Sequence, residues 1–239
     1  MDGAAVLASI QVGKPREAGT EGAADPFDRP WVSGFWKETA AGPVDLRWTN
    51  LDGDGQADLV NHGGVDKAVC CYSAAHYPGW RSELGRPDMA FGAFGENFTI
   101  DGLVEPDVCI GDTFRVGTAV VQVSQPRQPC WKLARRWRIK ELTFLVQDSG
   151  RTGWYFRVLT EGVVQTGEPL TLVDRPHPDW TIARANQVMH HDKADLASAA
   201  ALAALPTLSA SWKTTLHNRI AKGIEADATR RLEGRGASG

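Results

Sequence analysis

The sequence changes character near residue 176, and this change constrains the fold more than any other feature. Before it, short apolar runs alternate with glycine-rich and proline-rich turn signals, which is typical of short strands. After it, alanine-rich segments with short breaks are typical of helices. Strands are predicted at residues 4–12, 31–37, 44–48, 67–72, 98–100, 108–116, 119–124, 153–160 and 170–173. Helices are predicted at 74–84, 131–147, 181–190, 195–204 and 209–222, with Thr181 and Ser209 as N-caps.

This pattern predicts a mainly β fold, in which a barrel-like domain with flanking helices is followed by a small three-helix C-terminal region. The predicted boundary separates residues 1–175 from residues 176–239. Apolar residues make up 42% of the chain, which is enough for a sizeable core.

Composition also narrows the class of protein. Four cysteines occur, and their positions, 70, 71, 109 and 130, form no CxxC pair, which argues against zinc. Cys70 and Cys71 lie in an apolar run that predicts a buried strand. No stretch approaches the about 20 apolar residues of a membrane span. These features favour a reduced, cytoplasmic protein without a membrane partner, and the net charge of −3 argues against nucleic acid.

Residues 124–133, Ser-Gln-Pro-Arg-Gln-Pro-Cys-Trp-Lys-Leu, contain the strongest candidate for chemistry. Two prolines fix the backbone before Cys130 and helix-forming residues follow, so Cys130 is predicted at a helix start. The helix dipole, Arg127 and Lys132 should lower the pKa of the thiol from about 8.5 towards roughly 3.5–7.5. Such a thiolate can attack an electrophile or bind a soft metal, whereas the alternative is a cysteine that only packs.

A second candidate is the run of residues 61–68, Asn-His-Gly-Gly-Val-Asp-Lys-Ala. Gly63 and Gly64 allow backbone N–H groups to approach an anion, and Lys67 can supply charge. The alternative is an ordinary turn into the next strand. Residues 94–98, Phe-Gly-Glu-Asn-Phe, can orient a polar ligand, or they can form hydrogen bonds with backbone groups of the loop.

Three further patterns have plainer interpretations. Residues 52–58 resemble the start of a calcium loop, but Ala57 and Gly63 replace the required glycine and glutamate, which favours a tight polar turn. The basic run 127–140 is interpreted either as a solvated helix face or as a phosphate-binding site. The pair His190 and His191 near a helix end is interpreted as a cationic cap rather than a metal site.

Together these motifs resemble the MOSC family, named for the C-terminal part of molybdenum cofactor sulfurase. The resemblance is carried by residues 62–68, 94–97, 110–112 and 124–133, in this order and spacing. It is greatest to the bacterial YiiM-type subgroup, which is linked to resistance against N-hydroxylated purines. In that subgroup three helices also follow the barrel.

The resemblance implies that the barrel binds molybdenum cofactor (molybdopterin), with Cys130 as catalytic residue and molybdenum ligand or as a sulfur carrier. The implied cofactor-binding residues are His62, Gly63, Gly64, Lys67, Asn97, Ser124, Arg127 and Lys132. The same family is also described as binding pyridoxal phosphate.

The implied activity is reduction of small N-hydroxylated bases and other N–O compounds, which is a detoxification. The alternative is a carrier of cofactor or sulfur with a persulfide on Cys130. Because the chain lacks flavin, nicotinamide and ferredoxin motifs, electrons are expected from a separate reductase. The sequence leaves open whether the protein forms a homodimer.

Overall fold

The structure, a computed structural model, describes residues 5–225 and 227–234. Its described part contains twelve strands: Val6–Val12 (β1), Arg16–Ala18 (β2), Trp31–Ser33 (β3), Glu38–Thr39 (β4), Val44–Leu46 (β5), Val69–Ser73 (β6), Phe98–Asp101 (β7), Thr113–Val116 (β8), Ala119–Pro126 (β9), Trp154–Thr160 (β10), Gly162–Val164 (β11) and Thr171–Asp174 (β12). The same residues form eight α-helices: Leu59–His62 (α1), Tyr77–Glu83 (α2), Trp131–Trp137 (α3), Leu142–Asp148 (α4), Ile182–Asn186 (α5), Leu196–Ala203 (α6), Ala210–Lys222 (α7) and Thr229–Glu233 (α8).

Eight strands form one curled sheet in the order β12-β8-β9-β10-β6-β7-β1-β4. Strands β6 and β7 pair in parallel, and the other neighbours pair antiparallel. The chain just before β12 also bonds to β1, since Leu7 N–H donates to Glu168 O at 2.9 Å and Leu170 N–H donates to Ala5 O at 2.8 Å. These bonds bring the two ends of the sheet together. The predicted mainly β, barrel-like fold with flanking helices and a C-terminal helical region is confirmed.

One apolar core joins the sheet to the C-terminal helices. Leu7, Phe98 and Phe156 on the strands belong to the same buried cluster as Leu202 and Trp212 on the helices. Alternate strand residues face this cluster because successive side chains in a strand point to opposite faces. The predicted boundary at residues 175 and 176 stays a prediction, since the helices pack directly on the sheet.

A second apolar cluster supports the segment that contains Cys130. Tyr72 and Trp80 pack with Phe94, and Leu133 and Trp137 on α3 contact the same group. The indole N–H of Trp137 donates to Ala93 O at 2.7 Å. Helix α3 is therefore fixed against β6, α2 and the loop that precedes β7.

The ends of the C-terminal helices follow the prediction in two of three places. Thr181 Oγ1 accepts from Arg184 N–H at 3.1 Å, and Ser209 Oγ accepts from Trp212 N–H at 3.4 Å, so both predicted N-caps are confirmed. The cationic cap predicted at His190 is wrong. Burial, followed by nearby cations, lowers the pKa of His190 to about 3, so its ring is neutral at pH 7.

Two predicted strands are shorter than expected for local reasons. β3 ends at Ser33, and the next residues pass close to another segment, where a Cβ on Gly34 would lie 2.2 Å from Gly55 O. Residues 108–112 form a tight turn instead of a strand. There Gly111 has φ +85° and Cys109 N–H donates to Asp112 Oδ2 at 2.8 Å.

Candidate functional site

Cys130 is the N-cap of α3, as the sequence predicted. β9 ends at Pro126, residues 127–129 leave the sheet, and Cys130 has extended backbone angles, φ −125° and ψ 162°. Its carbonyl accepts from Leu133 N–H at 2.9 Å, which begins the helix. The thiol is 8% exposed and lies at the wall of a pocket.

The surroundings of Cys130 favour the thiolate. Burial alone would raise the pKa of this thiol, because it disfavours the charged form. A hydrogen bond from His62, the positive charges of His62 and Arg127, and the backbone N–H of Lys132 outweigh burial and lower the pKa to about 7. The predicted decrease in the pKa of Cys130 is confirmed. The residue that contributes most to the decrease is His62, whereas the prediction attributed it to the helix dipole and the neighbouring cations alone.

His62 is positioned by the four-residue helix α1, which the sequence analysis did not predict. Asp58 caps this helix, because its Oδ1 accepts from Val60 and Asn61 N–H at 3.1 and 3.0 Å. The Nδ1 atom of His62 lies 3.7 Å from Asp58 Oδ2. The imidazole of His62 therefore lies near the Asp58 carboxylate and also lowers the pKa of the Cys130 thiol.

A pH titration of thiol reactivity tests this arrangement. Alkylation of Cys130 by iodoacetamide should follow its ionised fraction, with a midpoint near pH 7, because only the thiolate reacts. His62→Gln removes a cation and a hydrogen bond that lower the pKa, so its midpoint should move to higher pH. His217→Gln, on α7, is the matched control and should leave the midpoint unchanged. A midpoint that is the same in all three proteins would exclude the His62 contact.

Arg127 is a buried cation with unused hydrogen-bonding capacity. It is 5% exposed, and its Nη2 donates to Phe94 O at 2.6 Å. Its Nη1 is buried and has no hydrogen-bond partner among the described residues. Burial alone would lower the pKa of Arg127, but Cys70, Tyr155 and Cys130 raise it. A buried guanidinium with a free N–H group fits an anionic ligand.

The pocket brings most of the predicted site residues together. The predicted residues that line it are His62, Lys67, Asn97, Arg127, Cys130 and Lys132. Gly63, Gly64 and Ser124 are not among its lining residues in the described part of the chain. Ser124 is fully buried, and its single hydroxyl hydrogen is shared between Asp66 O at 2.5 Å and Tyr155 O at 3.2 Å.

The two predicted glycines shape the loop beside the pocket, and Lys67 links this loop to the pocket lining. Gly63 is the C-cap of α1, and Gly64, with φ +91°, begins the turn that leads into β6. Lys67 Nζ donates to Asn61 O at 2.6 Å, and burial lowers the pKa of this lysine. Lys67 thus connects α1 to the pocket wall.

The side chain of Asn97 is fully engaged by the protein. Its Oδ1 accepts from Cys70 N–H at 3.1 Å, and its Nδ2 donates to Asp54 Oδ2 at 2.8 Å and to Gln11 O at 3.2 Å. Asn97 therefore holds the pocket wall together.

Asp54 and Lys37 are pocket residues that the sequence analysis missed. Their side chains form an ion pair and are 0% and 6% exposed. Asp54 Oδ1 also accepts from Gly13 N–H at 2.9 Å. Asp54 lies in the segment that resembles a calcium loop, and this acid-rich turn was the only sequence feature that could have indicated it. Nothing in the neighbouring residues indicated that the Asp54 side chain is buried in the pocket.

Cys70 and Tyr155 are also pocket residues that were missed. They are paired neighbours on β6 and β10, and they are 7% and 8% exposed. Burial raises the pKa of both groups, so both are protonated at neutral pH. The buried strand predicted at Cys70 and Cys71 is confirmed, but the strand pattern did not indicate the pocket.

The C-terminal helix α8 also reaches the cysteine segment. Arg231 Nη1 donates to Pro129 O at 2.6 Å, and its Nη2 donates to Gln147 Oε1 at 2.7 Å. Burial lowers the pKa of Arg231 to about 10, and the charge of Cys130 acts in the opposite direction.

Among the described residues, no helix combines the length and hydropathy that crossing a bilayer requires.

Two family models match this chain in succession. The first, described as MOSC domain, matches residues 58–171, and the second, described as YiiM-like, 3-alpha helix domain, matches residues 180–223. The uncharacterized protein YflK of Bacillus subtilis (strain 168) is 46% identical over 207 residues, which is 87% of this chain and 90% of the relative. The crystal structure of YiiM from Geobacillus stearothermophilus superposes with a TM-score of 0.76 at 40% identity, covering 91% of this chain and all of that one.

A third relative is much longer than this chain. A protein of Gibberella moniliformis (strain M3125 / FGSC 7600) named "Reductase" is 37% identical over 161 residues, which is 66% of this chain but 28% of the relative. The order of the two family matches agrees with the order of barrel and helices in the structure. The chain therefore belongs to the MOSC family, in the group that carries a YiiM-like three-helix domain.

Proposed function

We propose that this protein binds molybdenum cofactor in the Cys130 pocket and reduces N-hydroxylated bases and related N–O compounds. The observation that supports this most is the unpartnered Nη1 of buried Arg127 beside a thiolate. A buried guanidinium whose Nη1 has no acceptor among the described residues favours an anionic ligand, and a thiolate favours a soft metal. One ligand that carries both a phosphate and a metal satisfies both groups.

The residues of the pocket fit such a ligand. Arg127 and Lys132 would bind the phosphate, and Cys130 would bind the metal. Lys67 would add a positive charge at the pocket wall. When bound, the cofactor supplies the two-electron chemistry. The start of α3 holds Cys130 in place, and the aromatic side chain of Phe35 also lines the pocket.

The overall reaction is R–NHOH + 2 e⁻ + 2 H⁺ → R–NH₂ + H₂O, in which the N–O bond breaks and one N–H bond and one O–H bond form. The imidazole of His62, between Asp58 and Cys130, can hold a proton inside the pocket. The electrons come from a separate reductase. The relative named "Reductase" supports this, because the part of it that matches this chain is 28% of a longer protein.

Metal and pterin analysis tests the proposal. Protein purified from a host that makes the cofactor should contain equimolar molybdenum and pterin, measured by mass spectrometry of the metal and fluorescence of the released pterin. Arg127→Met and Lys132→Met should each retain less cofactor, since each removes a cation from the pocket. Arg47→Met, at an arginine 51% exposed outside the pocket, is the control and should retain the full amount. Wild-type protein without either component would refute cofactor binding.

The second candidate function is a carrier of cofactor or sulfur with a persulfide on Cys130. The lowered pKa of the thiol favours it, because a thiolate also accepts sulfur. After exposure to a cysteine desulfurase, mass spectrometry would find one added sulfur on Cys130 in a carrier. Absence of that addition in protein that retains molybdenum favours the reductase.

A further inference from the structure

Tyr155 faces the Cys130 pocket because of the alternation of side chains along β10. Its two neighbours on the strand, Trp154 and Phe156, are fully buried and belong to the core cluster. Successive side chains of a strand point to opposite faces of a sheet, so Tyr155 points away from that core. It is one of the residues that line the pocket. The strand therefore places one phenol ring at the site.

An irregularity of the sheet lies at the same position. The pairing of β10 with β9 shifts between Tyr155 and Phe156. A bulge of this kind re-aims a side chain and occurs often beside active sites. On its other side β10 pairs with β6, where Tyr155 is opposite Cys70. The Tyr155 ring is thus fixed between two strands before any ligand binds.

The hydroxyl of Tyr155 differs from that of Tyr72 in its partners. Tyr72 donates to Arg151 O at 2.9 Å. In the part of the chain that the structure describes, the Tyr155 hydroxyl forms no comparable bond to a protein oxygen. Its neighbour on the adjacent strand is the thiol of Cys70, and sulfur is only a weak acceptor. The Tyr155 hydroxyl can therefore donate to a ligand.

This hydroxyl also keeps its proton at neutral pH. Burial, followed by the charges of Cys70 and Cys130, raises the pKa of Tyr155 well above its usual value, and Arg127 acts in the opposite direction. Cys130, by contrast, has a pKa of about 7. The pocket thus combines an ionisable sulfur, a buried guanidinium and a neutral hydroxyl donor. A phenol that stays protonated can donate a hydrogen bond to an anionic oxygen without adding a second negative charge.

The proposed reduction creates such an oxygen. Two electrons enter as the N–O bond breaks, so oxygen and nitrogen each leave with an electron pair, and each takes up one of the two protons. Negative charge therefore builds on the oxygen before its proton arrives. A fixed donor beside that oxygen lowers the barrier, because it stabilises the transition state more than the bound substrate.

We propose that Tyr155 is a further catalytic residue, whose hydroxyl donates a hydrogen bond to the substrate oxygen while the N–O bond breaks. Tyr155 keeps its own proton throughout, and solvent supplies the two protons that complete the amine and the water. This inference rests on the proposed function for the identity of the reacting oxygen. The position of the donor rests on the strand register and on the pocket lining.

Tyr155→Phe removes only the hydroxyl group and therefore isolates this hydrogen bond. In cofactor-loaded protein supplied with a reductase, it should lower kcat for 6-hydroxylaminopurine roughly 100-fold, since the loss of one such donor has an effect of this order. KM should change little, because the bond strengthens in the transition state. Circular dichroism and thermal melting verify that the variant is folded.

Tyr72→Phe is the matched control. It also deletes one buried hydroxyl, and Tyr72 is not among the described residues that line the pocket. It should retain the wild-type kcat, although it loses the bond to Arg151 O and melts at a lower temperature. An equal fall of kcat in both variants would assign the effect to structure and overturn the proposal.

The leaving group provides a readout that a structural role does not change. Benzamidoxime would release its oxygen as hydroxide, whereas its O-acetyl ester would release acetate, whose charge is shared by two oxygens. Tyr155→Phe should therefore slow reduction of benzamidoxime much more than reduction of the ester. Equal slowing of both compounds would contradict a bond to the leaving oxygen.

A third measurement needs neither cofactor nor turnover. Ultraviolet absorbance of cofactor-free protein reports tyrosinate, and none should form below about pH 10, the ordinary pKa of tyrosine. Tyrosinate near neutral pH in wild type that is absent from Tyr155→Phe would overturn the donor. Wild-type protein that reduces neither benzamidoxime nor the purine would refute the proposed function and, with it, this role. Wild-type kcat in Tyr155→Phe would overturn the role of Tyr155 alone.

Discussion

Cys130→Ala should reduce the rate of N-reduction by cofactor-loaded protein to the background of the assay. The substitution removes the soft ligand that the proposal assigns to the metal, and no other described residue that lines the pocket offers an ionised sulfur. Cys70 lines the same pocket, but burial raises the pKa of its thiol, so it is a protonated neighbour rather than a substitute. The measurement is consumption of 6-hydroxylaminopurine with a saturating electron donor.

Cys109→Ala is the matched control for this experiment. Cys109 is 1% exposed and lies next to Thr181, outside the pocket, so its replacement also deletes one buried sulfur. It should retain the wild-type rate. Full activity of Cys130→Ala would remove the ligand role of Cys130, while loss of activity in both variants would indicate a general loss of structure.

Asp54→Ala should have the largest effect on stability. It leaves the Lys37 ammonium buried without its carboxylate, and removing one partner of a buried ion pair costs about 3–5 kcal/mol. It also leaves two donors, Gly13 N–H and Asn97 Nδ2, without the carboxylate oxygens that accept their hydrogen bonds at 2.9 and 2.8 Å. Urea unfolding monitored by circular dichroism gives the change in free energy of unfolding.

Asp52→Ala, two residues earlier, is the control. The side chain of Asp52 is 57% exposed and forms a surface contact with Arg47 at 3.6 Å, so its loss should cost less than about 1 kcal/mol. The double variant Lys37→Met with Asp54→Leu removes both charges and should recover part of the lost stability. Similar losses for Asp52→Ala and Asp54→Ala would contradict a special role for the buried pair.

Local sequence rules predicted the parts of the fold that depend on neighbouring residues. The start of α3 at Cys130 follows from two prolines and a run of helix formers, and the N-caps Thr181 and Ser209 follow from their hydroxyl groups. The helical stretch 131–147 is confirmed as two helices, α3 and α4. These predictions succeeded because a cap or a turn is decided within about four residues.

The site was predicted less completely because it is assembled from distant segments. Lys37 forms a hydrogen bond with Asp54, 17 residues away in the sequence, and Asn97 forms one with Asp54 from 43 residues away. No periodicity in a single segment indicates which acid of an acid-rich turn is buried. His62 was predicted to bind cofactor, but its contact with Cys130 depends on α1, a helix too short to leave a periodic signal.

Arg231 links the far end of the described chain to the reactive sulfur. Its two bonds to Pro129 and Gln147 come from α8, which lies beyond residue 223, where the match to the helical family ends. A shortened protein that keeps both matched regions but stops there would expose the Pro129 carbonyl and take a positive charge away from the thiolate. Comparisons of thiol reactivity between relatives should therefore include this last helix in the alignment. Part of the electrostatic environment of the cysteine lies outside the two regions that the family models match.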